Sequence, residues 1–187
     1  MKVVGITGTP ATGKKSIAPI VAAKLGLKCM ALNDLARPGG PAEPSSSEAE
    51  VETSELGRLL KREVSGKTVI FGHLLPYALS RASAAKVVVL RCEPAILKKR
   101  LASRGYSQQK VIENVEAELI GVIASDSFDK FGKTKTSEVD TSRTSPEDAA
   151  DAVVGAARGR ANRGPRIDWT LNYDSGAKLR VLLSTET

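Results

Sequence analysis

Apolar residues follow two rhythms along this chain. Short apolar runs occupy Lys2 to Thr7, Leu27 to Leu32, Lys67 to Phe71 and Lys86 to Arg91, and Glu138-Val139-Asp140 ends a short fifth strand candidate. Continuous apolarity, without alternation, marks strands buried on both faces, as in a parallel sheet. Between these runs the apolar positions take helical spacing. The first helix is predicted from Lys14 to Leu25, with Gly26 as its stop and Pro19 bending it slightly. Asn33-Asp34 reads as the cap of a short turn. Thr53 to Val64 is the next helix, with Leu56, Leu59 and Leu60 on one side. Leu74 to Arg81 and Glu93 to Arg104 follow, the latter opened by Pro94. Ser107 caps a long helix predicted to run to about Phe128, and Ser145-Pro146 opens a last one through Ala157. Strands alternating with helices predict an α/β fold with a parallel sheet.

Two stretches break the rhythm. Arg37 to Ser47 is rich in proline, glycine and serine and reads as a loop, followed by Glu48, Glu50, Glu52 and Glu55, a cluster that usually marks a solvated face. Arg158 to Arg166 carries four arginines and no acid, which separates a domain at 1–157 from a basic linker and tail at 158–187. Trp169 is expected to anchor that tail.

The 187 residues suffice for one domain with a real core, and the net charge of +7 favours polyanionic ligands without choosing among them. No apolar run approaches the ~20 residues of a membrane span, and Met1-Lys2 leads directly into a strand with no signal-peptide pattern. Cys29 and Cys92 lie far apart, outside any metal-binding spacing, and read as reduced, buried thiols. Together these features predict a cytoplasmic protein.

The most informative stretch is Gly8-Thr9-Pro10-Ala11-Thr12-Gly13-Lys14-Lys15-Ser16, set between the first strand and the first helix. Strand, glycine loop and helix in this order form a phosphate-binding P-loop. Gly8 and Gly13 allow the tight turn that aims successive N–H groups at an anion, and the helix N-terminus adds free donors. Lys14 supplies full charge for the β- and γ-phosphates. Lys15 occupies the usual hydroxyl slot and Ser16 follows one place later. That shift, with Pro10, is similar to the loop of nucleoside monophosphate kinases.

Three further stretches extend the similarity: Phe71-Gly72-His73-Leu74; Val89-Leu90-Arg91-Cys92-Glu93-Pro94 with Lys99-Arg100-Leu101, Arg104-Gly105-Tyr106, Lys110 and Glu113 to Glu118; and Glu138-Val139-Asp140-Thr141-Ser142 with Ile167-Asp168-Trp169. Together with the P-loop, and in this order and spacing, they resemble the adenylate kinase isoenzyme 6 family, the coilin-interacting nuclear ATPase type, and its archaeal relatives. The third stretch is the most specific. The resemblance covers most of residues 1 to 173. It implies a three-layer P-loop fold with a five-stranded parallel sheet, a monophosphate-binding insertion at about 30–55 and a short lid at about 103–113. The implied activity is broad-specificity phosphoryl transfer from ATP to AMP or a related monophosphate, with Mg²⁺ arriving on ATP and ATPase activity beside it. The implied partners are a platform ribosomal protein and ribosomal RNA of the small subunit, with a role in its maturation. A nucleotide-switched assembly factor with little turnover is the alternative, and a P-loop kinase of another small molecule such as shikimate is a third.

Phosphoryl transfer asks a protein mainly for positioning and charge neutralisation. Ala11, Gly13, Lys14, Lys15 and Ser16 are the expected ATP-binding residues, Ser16 also reaching a phosphate or a metal-bound water, with no direct protein ligand required for the metal. Arg100 and Arg104 lie four apart, on one helix face, and guanidinium forks suit developing charge on phosphate oxygens; from spacing alone a solvated pair is the commoner reading, but Arg104 matches the ATP-contacting arginine of the resembled family, and Arg100 is a catalytic candidate beside it. Lys110 either assists from the lid or is an exposed helix charge. His73, the chain's single histidine, follows a strand end where α/β ligand sites form and matches the histidine of the family's Asp-x-His motif, although a lone histidine is more often structural. Phe71 stands where the family carries the acid, and phenylalanine can neither hold Mg²⁺ nor position water, so ATPase activity is the weaker implication. Asp34 and Asp140 also follow strands; the first reads as a helix cap and the second as a turn former. Arg37 is the candidate for the monophosphate's phosphate, and Arg143 for the neighbourhood of the adenine. Arg158, Arg160, Arg163 and Arg166 serve either as a solvated linker or as phosphate contacts on RNA.

Overall fold

The computed structural model describes residues 2–36, 53–64, 67–160 and 166–184. Five strands form one parallel sheet: β1 (Lys2–Thr7), β2 (Lys28–Ala31), β3 (Lys67–Phe71), β4 (Ala84–Arg91) and β5 (Thr136–Asp140), in the spatial order β2-β3-β1-β4-β5. Central β1 is buried from Val3 onward, as its unbroken apolar run predicts. Ile6 pairs with Phe71 on one side and Val88 on the other.

Helices cover both faces. On one, α1 (Lys14–Leu25) and α7 (Pro146–Ala157) pack Ile17, Val21, Ala150 and Val153 against Ile6, Val69, Val88 and Leu90. On the other, α2 (Thr53–Glu63), α3 (Leu75–Ala78) and α6 (Val122–Phe131) enclose Leu56, Leu60, Leu75 and Phe131 with Val3, Ile70 and Val87. A third cluster joins α4 (Pro94–Ala102), α5 (Gln108–Leu119) and α8 (Gly176–Leu183) through Leu97, Leu101, Val115, Trp169 and Leu182.

Most predicted boundaries hold to within a few residues. α1 ends in Gly26 at φ 65°, a left-handed cap whose N–H reaches the carbonyls of Ala22 and Ala23. Ser145 caps α7 by accepting from the Asp148 amide.

Three expectations are corrected. The helix predicted from Ser107 to Phe128 is two, because Gly121 adopts φ 69° and redirects the chain between α5 and α6. A Cβ there would sit 3.3 Å from the Arg91 guanidinium, so the glycine also admits that arginine. Cys29 is exposed on the sheet-edge strand β2, whereas Cys92 is buried as expected, and burial raises its thiol pKa to about 11. The tail, unpatterned in sequence beyond its tryptophan, forms a 3-10 turn at Trp169–Asn172 and helix α8. No helix among the described residues is long and apolar enough to cross a membrane.

Candidate functional site

The P-loop crosses the carboxyl end of β1, where open parallel sheets form ligand crevices. Three residues take left-handed φ values: Gly8 at 135°, Ala11 at 66° and Gly13 at 101°. At Gly8 the requirement is also steric, since a Cβ would meet the Leu90 carbonyl oxygen at 2.3 Å. Gly13 serves as N-cap of α1 without a side-chain cap, and the Lys14 and Lys15 amides of the first turn face no cap side chain, while the Ser16 amide donates to the Gly13 carbonyl at 3.1 Å. Ala11 has no glycine freedom. It is buried in the same apolar cluster as Leu97, Leu101 and Trp169, and that packing offsets its strain.

The loop is braced from within and behind. Thr12 Oγ1 donates to the Thr9 carbonyl at 2.9 Å, and Thr141 Oγ1 donates to the Thr12 carbonyl at 2.8 Å. Thr9 Oγ1 donates to Glu118 Oε2 at 2.6 Å. Lys14 Nζ donates to the Gly8 and Thr9 carbonyls at 2.7 and 2.8 Å. Burial lowers the Lys14 pKa to about 7, with Arg104 and Lys15 pushing the same way and Glu118 opposing them.

The cleft in front, of about 200 Å³, is formed by the loop, the β3 end and the α4–α5 turn, and takes in Lys14, Lys15, Ser16, Phe71, His73 and Arg104. Ala11, Gly13 and Tyr106 also line it. The turn that carries Arg104 is only as long as Ser103 to Ser107, opened by Gly105 at φ 75°. Beneath His73, Thr7 Oγ1 donates to the Gly72 carbonyl at 2.9 Å and fixes the β3 exit.

The other predicted residues lie elsewhere. Arg100 does not line the cleft; its guanidinium donates to the carbonyls of Thr141 and Ser142 at 2.8 and 3.0 Å and holds the loop after β5. Asp140 accepts from the Ser142 amide at 2.8 Å, the turn-forming role expected of it. Asp34 sits in an exposed 3-10 turn, while its neighbour Asn33 lines the cleft. Lys110 and Arg143 are exposed. Arg166 stacks on the Phe128 ring at 4.3 Å, and Arg158 donates to the Lys24 carbonyl at 3.4 Å, so two of the tail arginines have partners within the chain. Arg37, Arg163 and most of the insertion at 30–55 fall outside the described residues.

Glu118 and Asn33 carried no functional signal in sequence beyond their place in a run. Glu118 looks like one of several charges on an amphipathic helix, yet it is 2% exposed. Its position in an i, i+3, i+4 row with Val111, Val115 and Leu119 was the available clue.

A P-loop at the carboxyl end of β1, a central parallel sheet and an arginine-bearing turn over the loop define a P-loop protein of the small-kinase type. The AAA domain family matches residues 4–121. A Thermococcus onnurineus protein named "Putative adenylate kinase" is 33% identical over 182 residues, covering 96% of this chain and 98% of its own. A Pyrococcus abyssi protein of the same name is 37% identical, covering 91% and 93%. The chain belongs to the AAA domain family and to the family of these archaeal proteins. Among solved structures, a Sinorhizobium meliloti gluconokinase superposes with TM-score 0.57 at 14% identity, covering 93% of this chain and 97% of its own. Shikimate kinase from Aquifex aeolicus superposes with TM-score 0.55 at 14% identity, covering 88% and 100%. At such identities these two establish the fold alone.

Proposed function

We propose that the protein is a nucleoside monophosphate kinase that transfers the γ-phosphate of ATP to AMP or a related monophosphate. One observation carries the reading: Lys14 from the start of α1 and Arg104 from the α4–α5 turn line one small cleft together with the amide-rich turn of the P-loop. A transferring phosphoryl group spreads negative charge over its equatorial oxygens, and convergent cations in a narrow cleft stabilise that charge as it develops. The archaeal relatives' shared name and the near-complete coverage support the same reading.

Each residue has a defined part. The amides of Ala11, Gly13, Lys14 and Lys15 cradle the phosphates of ATP, and that of Ser16 joins them on leaving the Gly13 carbonyl. Lys14 leaves its carbonyl partners for a phosphate oxygen, a motion of one flexible side chain. Arg104 closes from the α4–α5 turn, while Arg100 shapes the loop at Thr141 and Ser142 beside which an adenine can lie. His73 lines the wall toward the acceptor, with Ala31 and Asn33 beside it. Arg37 remains the candidate for the acceptor's phosphate. The residues fit a magnesium ion carried by the nucleotide: Ser16 offers a hydroxyl in the first turn of α1, and no carboxylate lines the cleft among the described residues. Bound there, Mg²⁺ neutralises phosphate charge and needs few protein ligands.

The test is ADP formation from ATP plus AMP, followed by a coupled assay. Lys14→Ala is expected to lower turnover by about a hundredfold or more while the chain stays folded. Wild-type protein without AMP-dependent turnover would sink the proposal.

Phe71 favours a second reading. It lines the cleft two residues before His73, and an aromatic ring there cannot orient a water for hydrolysis. The resemblance to the isoenzyme 6 family then points to a nucleotide-switched assembly factor that binds a platform ribosomal protein and ribosomal RNA. Pull-down of that ribosomal protein with and without ATP checks it; no binding under either condition removes it.

A further inference from the structure

Behind the P-loop lies a buried polar cluster that neither reading uses. Glu118, on α5, accepts four hydrogen bonds through its carboxylate. They come from Thr9 Oγ1 in the loop (2.6 Å), Arg91 Nε (2.8 Å), the Cys92 amide (3.0 Å) and Trp169 Nε1 in the tail (3.2 Å). The Arg91 guanidinium continues the cluster to Glu138 and to the Ile167 carbonyl at 3.0 Å, and the Ile167 amide donates to Glu138 Oε2 at 3.0 Å. Arg91 and Glu118 are each 2% exposed. The tail is thereby fastened to the same carboxylate that holds Thr9, and Thr9 in turn presents the carbonyl that Lys14 and Thr12 share. A second link is apolar: strained Ala11 of the loop belongs to the cluster containing Trp169 and Leu182.

We propose that Glu118 is a positioning residue that docks the 166–184 segment onto the back of the P-loop, so that the docked tail sets how tightly the loop holds a nucleotide's phosphates. The inference rests on the reading that the loop binds nucleotide. A carboxylate with donors from loop and tail at once transmits position in both directions. Loss of the indole N–H leaves a buried acceptor short of one donor, and loss of the Thr9 hydroxyl frees the residue whose carbonyl orients Lys14. By reciprocity, nucleotide on the loop must alter how the tail is held. Glu118 also acts on Lys14 through charge. The charged groups facing that ammonium are Glu118 from α5, Arg104 from the α4–α5 turn and Lys15 from its own helix; only Glu118 favours the protonated form.

Calorimetric titration of the full chain with ADP tests the proposal. Thr9→Val and Trp169→Phe are each expected to weaken ADP binding by about tenfold, and the double variant by less than the product, because both act through one carboxylate. Glu118→Gln keeps the side chain's shape and is expected to move the fall of affinity with pH to lower pH, a change that lost packing alone does not produce. Trp169 is the single tryptophan of the chain, so its emission reports the tail directly. ADP is expected to change that emission in the wild type and not in Thr9→Val. Failure of wild-type protein to bind ADP would remove the reading beneath. Wild-type binding with unchanged affinity in Thr9→Val and Trp169→Phe, and an unmoved pH profile in Glu118→Gln, would overturn the coupling alone.

Discussion

The front of the P-loop and the tail behind it are built by opposite means. The loop's own conformation is local: its turns depend on Gly8 and Gly13, its inner brace on the Thr12–Thr9 hydrogen bond and its cation on Lys14, all within nine residues, while its outer braces at Glu118 and Thr141 come from far along the chain. The tail is held by residues far away in sequence, with Trp169 bonded to Glu118 and Ile167 bonded to both Arg91 and Glu138. Local construction writes itself into sequence as a motif. Long-range construction leaves ordinary-looking residues whose role exists only after folding.

The comparison breaks most visibly at Arg91. Arg91→Ala strands the carboxylates of Glu118 and Glu138 in a dry interior, and a loss of about 3–5 kcal/mol in urea-unfolding stability is expected. A loss below about 1 kcal/mol would show that the cluster holds little. Gly8→Ala attacks the loop instead. The new Cβ meets the Leu90 backbone and the residue sits at φ 135°, so a loss of roughly 2–4 kcal/mol is expected, together with loss of nucleotide binding. If binding vanished while stability held, the loop would be an independent module, separate from the core.

Acidity sharpens the contrast further. Unfolded, Lys14 takes its proton below its ordinary 10.5; folded, it does so only below about 7. The unfolded state therefore holds more protons in that window, and this group's contribution to stability improves as pH rises through it. Phosphate binding has the opposite sign, because the anion requires the ammonium. ADP affinity is expected to fall by up to about tenfold per pH unit above pH 7, with proton uptake on binding that calorimetry in buffers of different ionisation enthalpy reveals. A flat affinity from pH 7 to 9 would show that the loop sets position without setting charge. The smallest effect is expected at the tail's far end. Ser175 caps α8 by accepting from the Lys178 amide, and Ser175→Ala should cost about 0.5–1 kcal/mol, seen as faster hydrogen exchange confined to α8.

Much of the architecture was legible. Apolar runs located four of the five strands, and Gly26 and Ser145 located helix ends, because these signals act through neighbouring backbone. The break at Gly121 was not, since a glycine after Ile120 in a helical pattern reads as a mild cost until Arg91 is seen beside it. Of the site, the P-loop, His73 and Arg104 were legible as residues of a cleft wall. Arg100 was read as a catalytic candidate through its place beside Arg104, although spacing alone favoured a solvated pair, and neither signal can say that carbonyls of Thr141 and Ser142 lie within its reach. Glu118 escaped because burial of a carboxylate is a property of the assembled cluster.

The strand order carries one consequence for how the chain is made. β1 is made before both of its partners, yet it occupies the centre of the sheet, and β3 and β4 begin at Lys67 and Ala84. At roughly 5–20 residues per second, this central strand waits for seconds before either neighbour exists. During that interval Val3, Val4 and Ile6 have only α1 to lean on, and Pro19 and Lys14 are in that helix. The sheet's central strand is therefore completed only after β4 has been made.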